Sequence, residues 1–418
     1  VETAARRGGQ VGLILLDLDH FKDVNDSLGH EVGDALLRSV AERLTKAYRK
    51  TDMVARLGGD EFAVILPKVH GPEDLVRPTA KVLELLRHPL EHDGRTLSIT
   101  ASVGVAVYPD GAEDAAQLLR NADIALFQAK EAGRNRIVTY EPAMRYAVER
   151  RIELLREVRT GLTRGEFMLH YQPVVDVGPG GKVLSVAGFE ALTRWKHPTQ
   201  GQITPGAFMA AFDDHELSLQ LGEATLEGAL HQMRAWMDAD IDFGRIAVNV
   251  SAAQFRTGRL ADCIAEKLKF WKVPADRLCI EVTENVYMGW GAEVVGEAAR
   301  QLHEMGVQVA LDDFGTGYAS LTHLKSFPID RLKIDRSFVQ SDEDRVIVRA
   351  VTTMGEHLGM TVIAEGVETA EQLAFLAEAG CGQAQGYHIG RPMPAADVPA
   401  YLAGMAPRRA AKPKLRLA

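Results

Sequence analysis

The chain has little cysteine, no long apolar run and no basic surplus, and each lack removes a class of protein. Only Cys263, Cys279 and Cys381 occur in 418 residues. They are widely spaced and form no Cys-x-x-Cys pair, which argues against a disulfide framework or a zinc knuckle and suits a reducing cytoplasm. The 13 histidines likewise form no His-Glu-x-x-His or His-x-His group. No stretch approaches the roughly 20 apolar residues of a transmembrane helix. Lys plus Arg number 48 against 57 Asp plus Glu, a net charge of -9. That balance disfavours nonspecific binding of long nucleic acids, which needs a basic surface. Small phosphorylated ligands stay open, because bound cations invert the local sign. The segment Val1–Gln10 has no Met and no signal-peptide core, as expected of a piece of a longer protein.

What remains is an ordinary folded composition, 46% hydrophobic and 25% charged, in a chain long enough for two or three domains. Two rhythms divide it. Up to about residue 140, long apolar strands mix with helices: a strand over Val11–Asp19, a helix over His30–Tyr48, and two strands within Met53–Leu66 around Gly58-Gly59-Asp60-Glu61. A strand over Leu97–Tyr108, a helix over Ala115–Lys130 and a short closing strand follow. The hairpin among them makes this an α+β, mixed-sheet domain. Residues 141–165 read as an amphipathic linker helix with Met144, Val148, Ile152, Leu155, Val158 and Leu162 on one face.

From residue 166 to about 404, strand and helix alternate. Eight strands begin with Phe167–Val177 and Val183–Leu192 and end with Ala384–Ile389, as a (β/α)8 barrel requires. These strands finish on or near Glu190, Asn249, Glu281, Asp312 and Asp313, Lys333, Glu365 and Gln385. One carboxylate at a strand end is ordinarily a solvated charge. Seven successive polar ends place the groups round one rim, where barrel enzymes keep their chemistry. Carboxylates crowded there would repel one another, and oxygen-rich crowding is relieved by Mg²⁺ or Mn²⁺. Residues 405–418 are basic and expected to form a flexible tail.

Literal motifs add a resemblance in each half. Arg56-Leu57-Gly58-Gly59-Asp60-Glu61-Phe62, the upstream Asp17-Leu18-Asp19-His20-Phe21, and Ala129-Lys130-Glu131-Ala132-Gly133-Arg134 resemble the GGDEF diguanylate cyclase family. The resemblance implies that Asp17 with Asp60 or Glu61 holds two Mg²⁺ ions on GTP, and that Asn25 and Asp34 read the guanine. Gly58 and Gly59 would admit the nucleotide, and Lys130 and Arg134 would neutralise its phosphates. Two such domains must then face each other, which implies a homodimer. Arg49 and Asp52 match the family's product-inhibition site for cyclic di-GMP. The helix that usually precedes the family's first strand is missing.

The second half resembles the EAL family of cyclic di-GMP phosphodiesterases. The resemblance rests on Glu190-Ala191-Leu192, Asn249-Val250-Ser251, Glu281-Val282-Thr283-Glu284, Asp312-Asp313-Phe314-Gly315, Leu332-Lys333-Ile334-Asp335, Ala364-Glu365-Gly366-Val367-Glu368 and Gln385-Gly386-Tyr387. It implies hydrolysis to pGpG with two cations per site. Glu190, Asn249, Glu281 and Asp312 would hold one, and Asp312 and Asp313 the second. Glu365 would be the general base, with Lys333 and Gln385 orienting water or phosphate. Gln172 and Arg194 would contact the dinucleotide. Glu284 and Glu368 would anchor the loop Asp313–Leu321, whose Gly315 and Gly317 permit tight turns. Gly382 and the pair His388-Ile389 depart from the family pattern. Two further readings stay open: a GTP-binding first half that only stimulates hydrolysis, and a non-enzymatic cyclic di-GMP receptor.

Overall fold

The computed structural model describes all residues except 2, 3, 5, 7, 72, 93, 94, 289–291, 316–327 and 406–418. Most of the expected anchored loop and nearly all of the expected tail lie outside the described residues. The chain forms two compact units, Val1–Glu153 and Leu154–Ala418, and the division falls inside the helix Pro142–Thr163. Among the described residues, no helix is long and apolar enough to cross a membrane.

In the first unit the strands of the five-stranded sheet are β1 (Gln10–Leu18), β2 (Met53–Gly58), β3 (Glu61–Val69), β4 (Ala101–Tyr108) and β5 (Ile137–Thr139), in the order β2-β3-β1-β4-β5, and Leu90–His92 pairs with Arg95–Leu97 in a separate hairpin. Strand β1 is antiparallel to both neighbours, and β4 is parallel to β5. The apolar run of β1 is continuous because both of its faces are buried. Its side chains alternate between two cores, as strand geometry demands. Ile14, Leu16 and Leu18 pack with the helices α1 (Phe21–Leu28), α2 (His30–Ala47) and α3 (Glu73–Arg87). Val11, Leu13 and Leu15 pack with Leu118, Ala122 and Leu126 of α4 (Ala115–Glu131). Gly104 permits that contact: a Cβ there would lie 2.2 Å from the Ala122 carbonyl oxygen and the Leu126 nitrogen.

The second unit is a closed eight-stranded barrel of β6 (Phe167–Gly178), β7 (Lys182–His197), β8 (Arg245–Asn249), β9 (Leu278–Thr283), β10 (Gln308–Phe314), β11 (Arg331–Ile334), β12 (Thr361–Ala364) and β13 (Gln383–Gln385). It departs from the expected pattern in its first strand. β6 runs antiparallel to both β7 and β13, and the other adjacent pairs are parallel. Only Pro179-Gly180-Gly181 separates β6 from β7, and a parallel crossover needs about a dozen residues or more. Strand β7 also continues past Glu190 to His197, because β6 and the short strand Gly201–Ile203 keep pairing with it. At the other end, the expected strand through Ile389 stops at Gln385, and a turn closed by Gly390 N–H donating to the Gly386 carbonyl follows.

The outward side chains of the barrel strands, such as Val248, Ile280, Leu311 and Leu332, join one core with the surrounding helices. Inward, Ala247, Cys279 and Ala310 form a small apolar layer of their own. Two residues further along the same strands stand Asn249, Glu281 and Asp312. The two-residue period therefore lifts these polar groups to the next layer, at the carboxyl end of the barrel.

Candidate active sites

Lys333 is the centre of the barrel layer. Its Nζ lies 2.6 Å from Glu365 Oε1, 3.0 Å from Glu281 Oε2, 3.1 Å from Asp312 Oδ1 and 3.5 Å from Glu190 Oε2. The lysine side chain is 1% exposed. Asn249 donates from Nδ2 to Glu190 Oε1 at 2.8 Å. Gln385 donates to Glu190 Oε2 at 2.7 Å and to Gln172 Oε1 at 3.2 Å, while its own Oε1 is buried without a partner. Gln172 in turn donates to the Gly390 carbonyl. Seven of the residues expected at this rim are thus brought into one network.

Four carboxylates around one ammonium leave the layer short of positive charge, and burial sharpens the conflict. Burial drives the Glu281 carboxyl well above its ordinary range, Glu190 adds to the shift, and Lys333 opposes it. Burial likewise pushes Glu365 up to about 8 against the pull of Lys333, with Asp312 and Glu190 reinforcing it. Glu190 goes the other way. Burial is outweighed there by Lys333 and by the hydrogen bonds from Gln385 and Asn249, so it stays low. Lys333 is held well above its usual value, because Asp312, Glu190, Glu281 and Glu365 overcome its burial.

Consecutive residues on a regular strand point to opposite faces, so Asp312 and Asp313 should not share a rim. A bulge resolves this. The β10–β11 register passes from Leu311 opposite Leu332 to Phe314 opposite Ile334, which inserts one residue, and Asp313 takes a left-handed φ of 54°. Oxygens of Asp312, Asp313 and Glu365 then lie within 4.8 Å of one another, as do those of Glu190, Glu281 and Asp312. Asp312 belongs to both groups. Such all-oxygen clusters fit hard divalent cations.

The surroundings are partly as expected. Glu284 accepts a hydrogen bond from the Gly315 N–H at 2.9 Å, at the start of the anticipated loop. Glu368 accepts from Gln340 Nε2 at 3.1 Å. Gly317 lies outside the described residues. Arg194, mostly buried, donates to its neighbour's carbonyl at Thr193. A cavity of about 260 Å³ opens above the acids, walled also by Arg336, Gly366, Gly386 and Tyr387. The sequence motifs did not single out Arg336, which stands three residues beyond Lys333 at the start of the helix Arg336–Gln340.

The α+β unit assembles its acids differently. Asp17 lies directly opposite Glu61 in the β1–β3 register, and Asp60 occupies the turn between β2 and β3. Lys130 Nζ sits 2.6 Å from Asp17 Oδ2. Burial raises the Asp17 carboxyl, Lys130 counters it, and Asp60 and Asp19 add repulsion. Asp19 serves the fold instead: it accepts from Thr100 Oγ1 and Ser102 Oγ at 2.7 Å each, and from the Asn135 N–H at 3.1 Å. Gly59 has φ 52°, and both Gly58 and Gly59 face open space. Arg56, unforeseen from the motif, holds this turn by donating twice to the Gly59 carbonyl. Asn25 lies against Gly33, where a Cβ would meet its Oδ1 at 2.0 Å, and Asp34 is the next residue. Arg134 follows α4 in a left-handed conformation, φ 59°. Arg49 and Asp52 close a turn on each other's backbone and line a separate cavity of about 610 Å³ together with Lys68, Arg77 and Lys81.

The EAL domain family matches over residues 155–392, and the diguanylate cyclase, GGDEF domain family over residues 1–136. The chain belongs to the tandem GGDEF–EAL family. This tandem chain is 40% identical over 407 residues to the bifunctional diguanylate cyclase/cyclic di-GMP phosphodiesterase MucR of Pseudomonas aeruginosa, covering 96% of this chain and 58% of that protein. It is 38% identical over 406 residues to the cyclic di-GMP phosphodiesterase NbdA of the same organism, covering 96% and 51%. It therefore spans about half the length of the curated relatives it matches. Among solved structures, the PaMucR phosphodiesterase in its c-di-GMP complex aligns with 59% of this chain and 99% of that one, at 42% identity and a TM-score of 0.55.

Proposed function

We propose that the EAL barrel hydrolyses cyclic di-GMP to linear pGpG, and that the GGDEF unit joins two GTP molecules into cyclic di-GMP. The observation that carries the first claim is the double membership of Asp312 in two carboxylate clusters. That arrangement suits two Mg²⁺ or Mn²⁺ ions sharing one ligand. Glu190, Asn249, Glu281 and Asp312 would hold one ion, and Asp312 and Asp313 the other. Asn249 spends its amide N–H₂ on Glu190, which leaves its carbonyl oxygen for a cation. Such ions supply charge neutralisation of the phosphodiester and acidify a water.

The side chains then do the rest. Glu365 lies 2.6 Å from Lys333 Nζ and in the cluster it forms with Asp312 and Asp313, a position that suits a base taking a proton from the attacking water. Lys333 donates to the water or the phosphate, and Gln385 accepts a hydrogen bond from the water through its unpartnered Oε1. Gln172 and Arg194 bind the dinucleotide, and Glu284 and Glu368 position the loop that begins at Asp313. In the GGDEF unit, Asp17, Asp60 and Glu61 bind the cations and Asn25 and Asp34 the guanine. Gly58 and Gly59 let the nucleotide approach the turn. Lys130 and Arg134 bind its phosphates, so Lys130 must leave Asp17. Arg49 and Asp52 bind the product. Two chains pair for condensation, and both reactions place the chain in the cytoplasm. The domains are assigned as 1–140, a linker at 141–165, 166–404 and a tail at 405–418.

Chromatography of nucleotides after incubation of the chain with Mg²⁺ and either cyclic di-GMP or GTP tests both claims. Cyclic di-GMP should yield pGpG, and GTP should yield cyclic di-GMP. Absence of pGpG overturns the phosphodiesterase assignment. GTP that stays unconverted but speeds hydrolysis makes the GGDEF unit a regulator instead of a cyclase.

A further inference from the structure

The first half of the linker helix Pro142–Thr163 is fastened to the GGDEF unit along α4, the helix that carries Lys130. Arg145 Nη2 donates to Asn121 Oδ1 at 2.9 Å. Asn121 is fully buried, and its amide donates in turn to the Gly111 carbonyl at 2.9 Å. Further along the helix, the Arg151 guanidinium lies 5.8 Å from the centroid of the Phe127 ring, and its Nη1 donates to Glu131 Oε2 at 2.7 Å. Both partners of that ion pair keep some access to water, at 30% and 42% of their side chains. Glu131 is the last residue of α4 and directly follows Lys130. Arg134 closes the same helix end, donating its N–H to the Ala129 carbonyl at 3.0 Å.

A helix carboxyl end is a poor place to receive a triphosphate. Its last carbonyls carry about half a negative charge, and the Glu131 carboxylate adds a full one. Neighbouring residues of a helix lie well inside the Debye length of about 10 Å at 0.1 M salt. Left unpaired, Glu131 would repel the phosphates and compete for the cations meant to bind them. We propose that Arg151 is a positioning residue of the cyclase reaction: by holding Glu131 against the linker helix and cancelling its charge, it leaves Lys130 and Arg134 to the β- and γ-phosphates of GTP. Arg151 acts through Glu131 and touches no substrate, while the Arg145–Asn121 contact keeps its helix alongside α4. The proposal rests on the GGDEF unit turning over GTP.

Pyrophosphate release by the whole chain, with Mg²⁺ and varied GTP at low ionic strength, tests it. Arg151→Ala should raise KM for GTP about threefold with kcat within about twofold, the scale of a charge contact open to solvent. Arg151→Lys keeps the charge and should stay near wild type. Glu131→Gln should leave KM no higher than wild type, and in that background Arg151→Ala should add nothing. In about 0.3 M salt the Arg151→Ala defect should shrink, because the repulsion is screened. A purely mechanical brace behaves otherwise: Glu131→Gln breaks the same contact and would raise KM as Arg151→Ala does, with or without salt. That result, or an unmoved KM in Arg151→Ala, overturns the positioning role and leaves the cyclase reading standing. A wild-type chain that releases no pyrophosphate from GTP overturns the cyclase reading and this role with it.

Discussion

Lys333 of the barrel meets four carboxylates and keeps 1% of its side chain exposed, whereas Lys130 of the GGDEF unit meets Asp17 and keeps 34%. The same chain therefore brings acids together in two physical regimes. In the barrel, strand ends force carboxylates out of water, where each uncompensated ion costs several kcal/mol. A cation has to be built into the layer. On the hairpin, Glu61 is exposed and Asp60 half-buried, so water screens the charges and no buried counter-ion is needed. A site that binds cations can thus be kept foldable either by an internal lysine or by solvent.

The largest effect expected from this contrast is on catalysis. Asp312→Asn removes the oxygen charge shared by both clusters and should lower cyclic di-GMP hydrolysis at least about a hundredfold, since cation placement supplies several kcal/mol. GTP conversion by the other unit should persist. Nucleotide chromatography reads both, and a variant keeping a tenth of wild-type hydrolysis would refute the shared ligand.

Next comes stability without metal. In EDTA, Lys333→Met leaves the buried Glu190, Glu281 and Asp312 and the half-buried Glu365 with no ammonium. Breaking such a contact costs about 3–5 kcal/mol, which lowers Tm by roughly 10 °C in a unit of this size. Added Mn²⁺ should restore part of the loss by binding only the folded state. Calorimetry showing less than about 2 °C of change would mean the lysine does not neutralise the layer.

The difference between the two regimes was only partly legible from residue order. The rim of the barrel could be read because Glu190, Asn249, Glu281, Asp312, Lys333 and Glu365 each interrupt an apolar run. The two-residue period then carries such interruptions to one layer. The antiparallel β6 could have been read from Pro179-Gly180-Gly181, too short for a crossover, but apolar periodicity says nothing of strand direction. The bulge at Asp313 depends on register, which is settled between strands. Asp17 and Asp19 end the same run, and nothing local to that run separates their roles. The engagement of Asp19 with Thr100, Ser102 and the Asn135 N–H joins residues about 80 to 116 positions apart, beyond any local signal. Lys130 was expected on phosphate, and it lies on Asp17.

Within the GGDEF unit, that division between a structural acid and a ligand acid gives a smaller effect. Asp19 accepts through both oxygens, and an amide offers one acceptor oxygen. Asp19→Asn should therefore cost about 1.5–3 kcal/mol, a fall of about 5 °C or more in the Tm of this unit. A melting curve in EDTA that matches wild type would show that these hydrogen bonds do not support the fold.

The smallest effect tests the screened regime directly. Lys130→Met breaks an ion pair of which one partner is a third exposed, and pairs open to solvent contribute about 0–1 kcal/mol. The Asp17 carboxyl left behind is already raised by burial. Losing its cation raises it further, so it takes up a proton more easily and sheds the charge that would destabilise the fold. Both terms point to a Tm in EDTA within about 2 °C of wild type, against the roughly fivefold larger fall expected for Lys333→Met. Equal losses in the two variants would show that Asp17 is as dependent on an internal cation as the barrel acids are, and the contrast between a buried and a screened acid site would collapse.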